Sequence, residues 1–217
     1  MLGRGLLDAA GLSGDGQAED ELLLVDPPAD AVARFKLEGR VAALFTGAPL
    51  PADTLGLPLV HTLPGGEAHV RVGSHLLDVF SLRGGTVVRL PALGLICAGG
   101  YGSDALLPEV APGSDGSAEL DVLRLLARLV RERSLQLFIP RAGSLARDPV
   151  AVMERLADDV GSLHGLRRVV LPLAQGGAPL QRALALADTL LPANRRDAAC
   201  RAANAANVER LVGAALT

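Results

Sequence analysis

The sequence predicts a mixed α/β sandwich, and three observations support this prediction. The first half of the chain consists of short apolar runs broken by Gly and Pro, which is typical of β-strands joined by turns. A helix, a strand and a second helix follow this half, and residues 165–217 are rich in Ala and Leu, as helices often are. This order differs from the regular alternation of a doubly wound sheet, so we expect separate layers of strands and helices.

The composition predicts one folded domain over residues 1–217. Hydrophobic residues make up 49% of the chain and charged residues 21%, which is sufficient for a packed core. A formal net charge of −3 and the absence of Trp argue against a nucleic-acid partner, because neither a basic surface nor a stacking platform is available. Cys97 and Cys200 are too few for a disulfide framework. No signal peptide and no membrane-spanning segment is predicted, so we expect a cytoplasmic protein with no membrane partner.

Strands dominate the prediction for the first hundred residues. Residues 21–28 (ELLLVDPP) form an apolar run that ends in a turn, and residues 40–47 and 57–63 are similar short runs. Between the first two runs, residues 29–39 predict a short helix that stops at a glycine. Residues 67–100 alternate between apolar and polar positions and predict several strands joined by tight turns.

Helices dominate the second half. A helix is predicted over 118–133, with acidic residues in its first turn and arginines near its end, as the helix dipole favours. A strand is predicted over 135–140, followed by a helix over 150–163 for which Asp148 is the N-cap. Residues 165–217 predict a Pro/Gly break and then two helical stretches.

The order of these elements resembles the metallo-β-lactamase superfamily of metallo-hydrolases. Residues 22–28 (LLLVDPP) resemble the family's strand that ends in Asp, and residues 41–47 (VAALFTG) resemble the strand before its Thr-His-x-His-x-Asp-His loop. Residues 65–104 resemble the meander that carries the Gly-Asp bridging ligand, and 137–143 (LFIPRAG) resemble the strand ending in Pro-Gly-His-Gly. The resemblance covers about 20–163. It implies a four-layer αββα sandwich, with two sheets face to face and helices outside, to which residues 165–217 add a C-terminal helical extension.

The same alignment indicates that the family's metal ligands are missing. Zinc and iron sites of this kind need imidazole nitrogens and carboxylate oxygens that converge on the metal. When Thr46 is matched to the family's Thr, no side chain at the matching ligand positions can coordinate a metal, and the histidine of the Pro-Gly-His turn has no counterpart in residues 81–90. The residues at the ligand positions are Gly47, Pro49, Pro51, Ala52, Gly100 and Ala142.

The resemblance therefore predicts a metal-free relative of these hydrolases without the family's chemistry. It would be a non-catalytic protein that binds a small molecule or a protein partner, or a structural protein. No cofactor is expected. The loop at residues 99–104 falls where the family has its active cleft. Candidate cleft residues are Thr46, Asp53, Tyr101, Ser103 and Asp104. The loop is alternatively a Gly-rich turn with a polar tip and no ligand.

A hydrolase with a rearranged metal site is the alternative function. It would hold zinc, iron or manganese with residues drawn from Asp53, His69, His75 and Asp104. The two histidines are six residues apart and would meet if they lay across a hairpin, but spacing identifies no third ligand. Surface or hydrogen-bonded structural roles are the favoured interpretation of these histidines, and His164 has the position of a helix C-terminal residue. An unrelated α/β domain is the third alternative.

The C-terminal segment carries two further expectations. Its Ala- and Leu-rich helices predict either a homodimer surface or a helix that closes the sandwich. Arg195, Arg196 and Arg201 are interleaved with Asp197 and Glu209, a pattern typical of a solvated helix face and alternatively of an interaction surface.

Overall fold

The structure is a computed structural model that describes residues 22–25, 41–46, 59–61, 66–72, 75–132 and 134–216. These residues form eight strands, four α-helices and a short 3-10 turn at Pro91–Leu93. The strands are β1 (Leu22–Val25), β2 (Val41–Thr46), β3 (Leu59–His61), β4 (Gly66–Val72), β5 (His75–Leu82), β6 (Gly85–Leu90), β7 (Leu95–Cys97) and β8 (Leu137–Ile139). The helices are α1 (Ser117–Glu132), α2 (Pro149–Gln175), α3 (Leu180–Thr189) and α4 (Ala198–Ala215).

The strands form two sheets. The smaller sheet has the order β1-β2-β3 and is parallel throughout. The larger sheet has the order β4-β5-β6-β7-β8, in which β4 to β7 are antiparallel neighbours and β8 runs parallel to β7. Cα atoms of β1 and β2 approach those of β6 to within 8 Å, so the two sheets are adjacent layers.

The larger sheet separates two hydrophobic clusters because successive side chains of a strand point to opposite faces. One face carries a cluster that includes Leu77, Val79 and Val88. The other face carries Phe80 and Phe138, which pack with the buried side chains of the helices. The sheet is thus buried on both sides in its centre, as expected for an inner layer of a sandwich.

The helices cover the second of these faces. Helix α1 lies against β5 and β6, α2 packs on α1, and α3 and α4 pack on α2 and on each other. A stripe that includes Leu123, Leu126 and Val130 buries one side of α1, since these residues recur at helical spacing. Among the described residues, no helix combines the length and apolar character needed to cross a membrane.

The second helix differs from its prediction in length. Its start is confirmed, because the Asp148 carboxylate accepts a hydrogen bond of 3.0 Å from the amide of Val150. The helix then continues to Gln175 instead of ending near residue 163, and His164 therefore lies within it. Buried side chains continue at helical spacing beyond His164, and their packing outweighs the cost of the helical glycines. The helix predicted over 29–39 lies outside the described residues.

Candidate functional site

Strands β7 and β8 end at the same edge of the larger sheet because they are parallel. Their pairing continues past the strands: the amide of Ala98 donates to the Ile139 carbonyl at 2.9 Å, and the amide of Arg141 donates to the Gly99 carbonyl at 2.7 Å. The loops that follow, residues 99–104 and 140–144, are therefore neighbours, and we call them the strand-end loops. They carry Gly100 and Ala142, two of the positions aligned with metal ligands.

Arg141 is a charged group beside Gly100 that the sequence pattern did not indicate. A Cβ atom on Gly100 would lie 3.9 Å from Nη2 of Arg141. The same nitrogen donates to Oε1 of Glu109 at 2.6 Å, and Oε2 of Glu109 lies 3.8 Å from Nη1 of Arg210. A cation therefore lies next to the backbone position that the resemblance assigns to a bridging carboxylate.

Asp104 is hydrogen-bonded to the second strand-end loop, residues 140–144. Its Oδ1 accepts a 2.8 Å hydrogen bond from the amide of Ser144, its Oδ2 accepts one from the Ser144 hydroxyl, and Nη2 of Arg155 lies 3.3 Å away. Partial burial acts to raise the pKa of Asp104, but the Ser144 hydrogen bonds and the Arg155 charge outweigh it, so the pKa is lower than usual. The carboxylate is ionised and already bonded, which does not suit a general base.

Ser103 and Tyr101 are buried and bonded within the fold. The Ser103 hydroxyl donates to the Ala142 carbonyl at 2.9 Å and accepts from the amides of Ala105 and Leu106. The Tyr101 hydroxyl donates to the Gly84 carbonyl at 2.5 Å. Both side chains fix the shape of the first strand-end loop, and their role in ligand binding stays a prediction.

Of the remaining predicted residues, Thr46 and His69 lie on strands. Thr46 ends β2, where its backbone pairs with that of His61, and Asp53 lies outside the described residues. His69 is opposite Asp78 on β5, and its Nδ1 lies 2.9 Å from Oδ1 of that aspartate.

The two candidate histidines do not face each other across the hairpin. His75 is paired with Val72, which is three positions from His69 along β4, so the alternation of side chains places the histidines on opposite faces of the sheet. In the part of the chain that the structure describes, no three His, Cys, Asp or Glu side chains are grouped as a metal site requires.

A buried ion pair holds the first strand-end loop from the side of the helices. Asp159 of α2 is fully buried; its Oδ2 accepts from the amide of Gly102 at 2.7 Å, and its Oδ1 accepts from Nη1 of Arg195 at 2.5 Å. Nη1 of Arg195 also lies 3.4 Å from the Leu106 carbonyl. Burial raises the pKa of Asp159 to about 6, although the hydrogen bonds and charge of Arg195 act to lower it.

Helix α4 holds the continuation of this loop. Asn207 accepts from the amide of Val110 and donates to the Pro108 carbonyl, both at 2.8 Å, and Nη1 of Arg210 donates to the Val110 carbonyl at 2.7 Å. The sulfur of Cys200 lies 3.2 Å from the Ala105 carbonyl. The C-terminal helices therefore position the loop that carries the candidate site.

The expectation of a solvated C-terminal face is wrong for one of its arginines. Arg195 precedes α4 and is 1% exposed, because Asp159 provides it with a buried partner. Arg201 is exposed, as expected, and pairs with Asp188 at 3.2 Å.

Neither cysteine is suited to nucleophilic catalysis. Cys97 is buried in β7, and desolvation raises its pKa to about 12. Burial also raises the pKa of Cys200, with the nearby Asp197 carboxylate acting in the same direction. Both thiols remain protonated at neutral pH.

Comparison with known proteins identifies the fold. No family model matches the chain, and no curated protein matches it either. Among solved structures it is similar to the stereoselective inverting sec-alkylsulfatase Pisa1 from Pseudomonas sp., with 18% identity and a TM-score of 0.57 over 73% of this chain and 26% of the alkylsulfatase. A double mutant of that enzyme is similar with 16% identity and a TM-score of 0.52, over 71% of this chain and 26% of the other.

The similar structures identify the architecture of the chain. The two adjacent sheets and the covering helices are those of a mixed α/β sandwich. The alkylsulfatase has the metallo-β-lactamase fold, and this chain has that fold as well, which confirms the predicted αββα class. The chain spans only 26% of the alkylsulfatase's length, so the likeness concerns the architecture.

Proposed function

We propose that this chain is a non-catalytic protein of metallo-β-lactamase fold that binds a small molecule or a protein partner at the strand-end loops without a metal. The observation that carries the proposal is the position of Arg141 beside Gly100. A cytoplasmic location belongs to the same proposal, as does the description of the chain as a pseudoenzyme.

The residues present at the strand-end loops do not fit the metal of the fold family. Gly100 has no side chain, and Ala142 has only a methyl group, so neither contributes a ligand. The Arg141 guanidinium next to Gly100 would repel a divalent cation placed there, since like charges at short range destabilise each other. No catalytic step through a metal follows from this arrangement.

The hydrogen bonding of the loops supports binding rather than proton transfer. Ser103 and Asp104 are engaged by Ala142 and Ser144, so the two loops are fastened to each other across the sheet edge. A surface held in one shape loses little conformational entropy when a ligand binds. Such fastening favours a preorganised binding surface.

The rearranged hydrolase receives little support from the described residues. Asp78 orients the His69 ring through Nδ1, as carboxylates do that hydrogen-bond to metal-ligating histidines, but His75 lies on the other face of the sheet. Asp104 is held by Ser144 and Arg155. These residues do not converge on one point.

Elemental analysis of the purified full-length chain tests the proposal. The protein is incubated with zinc, iron or manganese salts, passed through a desalting column and analysed for bound metal. We expect far less than one equivalent. Retention of about one or two equivalents, the content of mononuclear or binuclear sites, would contradict the proposal. In that case the variants His69→Ala and Asp104→Asn, compared with the exposed-site control Arg124→Gln, would identify the ligands.

A further inference from the structure

The charges at the strand-end loops are unequally matched. Arg141 and Arg210 share the single carboxylate of Glu109, at 2.6 and 3.8 Å, whereas Asp104 is paired with Arg155 at 3.3 Å. These ion pairs contain three guanidinium groups and two carboxylates, so they carry one positive charge in excess. The excess lies on the Arg141–Glu109–Arg210 chain, because that chain has two cations for one anion.

Arg141 is placed so that its guanidinium can be reached by a ligand. Its backbone is fixed by the hydrogen bond from its amide to the Gly99 carbonyl, while its side chain is 45% exposed. Gly100, which lies beside the guanidinium, has no side chain that could cover it. The planar guanidinium can donate two parallel hydrogen bonds to an oxyanion, a geometry that a carboxylate, a sulfate or a phosphate group accepts.

Glu109 can give up its contact with Arg141 without losing every cationic partner. An incoming anion would compete with Oε1 of Glu109 for Arg141, while Oε2 of the same carboxylate lies toward Arg210. Glu109 would therefore retain a cationic partner when Arg141 binds the ligand. A cation is not favoured at this position, since the Arg141 guanidinium lies beside Gly100.

We infer that the strand-end loops bind a ligand carrying an oxyanion group, with Arg141 as its principal contact. This inference rests on the proposed binding function and specifies its ligand class. Substitution at two positions tests it. Arg141→Gln removes the cation, and Gly100→Asp introduces a carboxylate that would pair with Arg141 from within the chain. Gly100 has an ordinary backbone conformation, and its added Cβ would meet only van der Waals contacts, so the second variant is expected to fold.

The experiment is calorimetric titration of the full-length chain with sodium sulfate, sodium phosphate and sodium acetate at constant ionic strength. We expect saturable binding of at least one of these anions, weakened about tenfold or more by each variant, because charge-assisted hydrogen bonds to the anion are lost. The control is Arg124→Gln, which removes an exposed arginine of α1 that is paired with Asp121, and it should bind as the wild type does. Thermal unfolding checks that each variant is folded.

The outcomes separate this inference from the proposed function. Binding strength that is unchanged in Arg141→Gln and Gly100→Asp, or equally reduced in Arg124→Gln, would overturn Arg141 as the contact. Absence of saturable binding for all three anions would overturn the oxyanion as the ligand class. The metal-free proposal is decided separately, by the elemental analysis of bound metal. A preference for sulfate and phosphate over acetate would assign a tetrahedral anion, and the reverse preference a carboxylate.

Discussion

Asp159 and Arg195 form an ion pair in the interior of the protein, with 2.5 Å between Oδ1 and Nη1 and with side chains that are 0% and 1% exposed. The pair joins three parts of the chain: helix α2, the segment before α4, and the first strand-end loop through the amide of Gly102. A buried pair of charges costs desolvation free energy, so removal of one partner is more damaging than removal of both.

Arg195→Met should lower the free energy of unfolding by about 3 to 5 kcal/mol at pH 7, because it leaves the Asp159 carboxylate buried without its cation. The double variant Asp159→Asn with Arg195→Met should lose less than this single variant. Denaturant unfolding of both variants measures the difference. Arg201→Met, which breaks the exposed pair with Asp188, is the control and should cost about 1 kcal/mol or less. A double variant as unstable as Arg195→Met would contradict the ion-pair explanation.

The pH dependence of stability should report the burial of Asp159. Its pKa is raised from 3.8 to about 6 in the folded protein, so the folded state binds the proton more tightly than the unfolded state does. The stabilisation from this proton is complete below about pH 4 and is lost as the pH rises through about 6, a change of about 3 kcal/mol. The measurement is the difference in unfolding free energy between the wild type and Asp159→Asn from pH 4 to 7.

The other shifted carboxylates act in the opposite direction. Hydrogen bonds from Ser117 lower the pKa of Asp115, and those from Ser144 lower the pKa of Asp104 against the effect of burial. Their contributions are present at higher pH and decline in acid. They occur equally in the wild type and in Asp159→Asn, and therefore cancel in the difference. A difference that stays constant from pH 4 to 7 would show that Asp159 titrates normally.

Local sequence patterns predicted the helices and strands well, because the start and the buried side of such an element depend mainly on residues that are close together in the chain. Asp148 marks the start of α2, and the apolar stripe of α1 follows directly from its spacing. The predicted end of α2 is wrong: His164 has the position of a helix C-terminal residue, whereas the buried residues beyond it continue the helix. Packing against other helices, which no local signal reports, decided the length.

The candidate site was predictable only in part. The adjacency of Gly100 and Ala142 follows from two strands that run parallel and end at one edge. The side chains that hold the loop come from far away in sequence: Asp159 binds the amide of Gly102, and Asn207 binds that of Val110. Asn207 looks like an ordinary polar residue of a helix, and Arg195 like a surface charge. Their burial is a consequence of tertiary structure.

Gly102 should be essential for the first strand-end loop, whereas Gly113 should not be. Both have a positive φ, of +65° and +73°, so an alanine at either position is strained by about 1 kcal/mol. Only at Gly102 would the new Cβ also meet an obstacle, at 2.6 Å from the ring of the buried Phe138. Gly102→Ala should therefore be less stable than Gly113→Ala by about 2 kcal/mol or more, as overpacking in a core predicts. Equal losses in denaturant unfolding would refute the steric explanation.

Asn207 should protect the amide of Val110 from hydrogen exchange. The side chain is 1% exposed and satisfies both the Val110 amide and the Pro108 carbonyl. Asn207→Ala leaves these groups without their partner, so we expect a loss of about 2 to 3 kcal/mol in stability. Exchange at Val110 should increase more than exchange at Phe138, whose amide donates to the Ala146 carbonyl in the sheet layer.

The comparison between the two amides separates local release from global destabilisation. Global unfolding accelerates the exchange of Val110 and Phe138 alike, whereas loss of the Asn207 side chain opens only the segment that it holds. Asn204→Ala is the matched control on the same helix, because Asn204 is buried and donates to the Ala187 carbonyl, away from the loop. If Asn204→Ala releases Val110 as strongly as Asn207→Ala does, α4 positions the loop through its packing as a whole and the specific hydrogen bonds are dispensable.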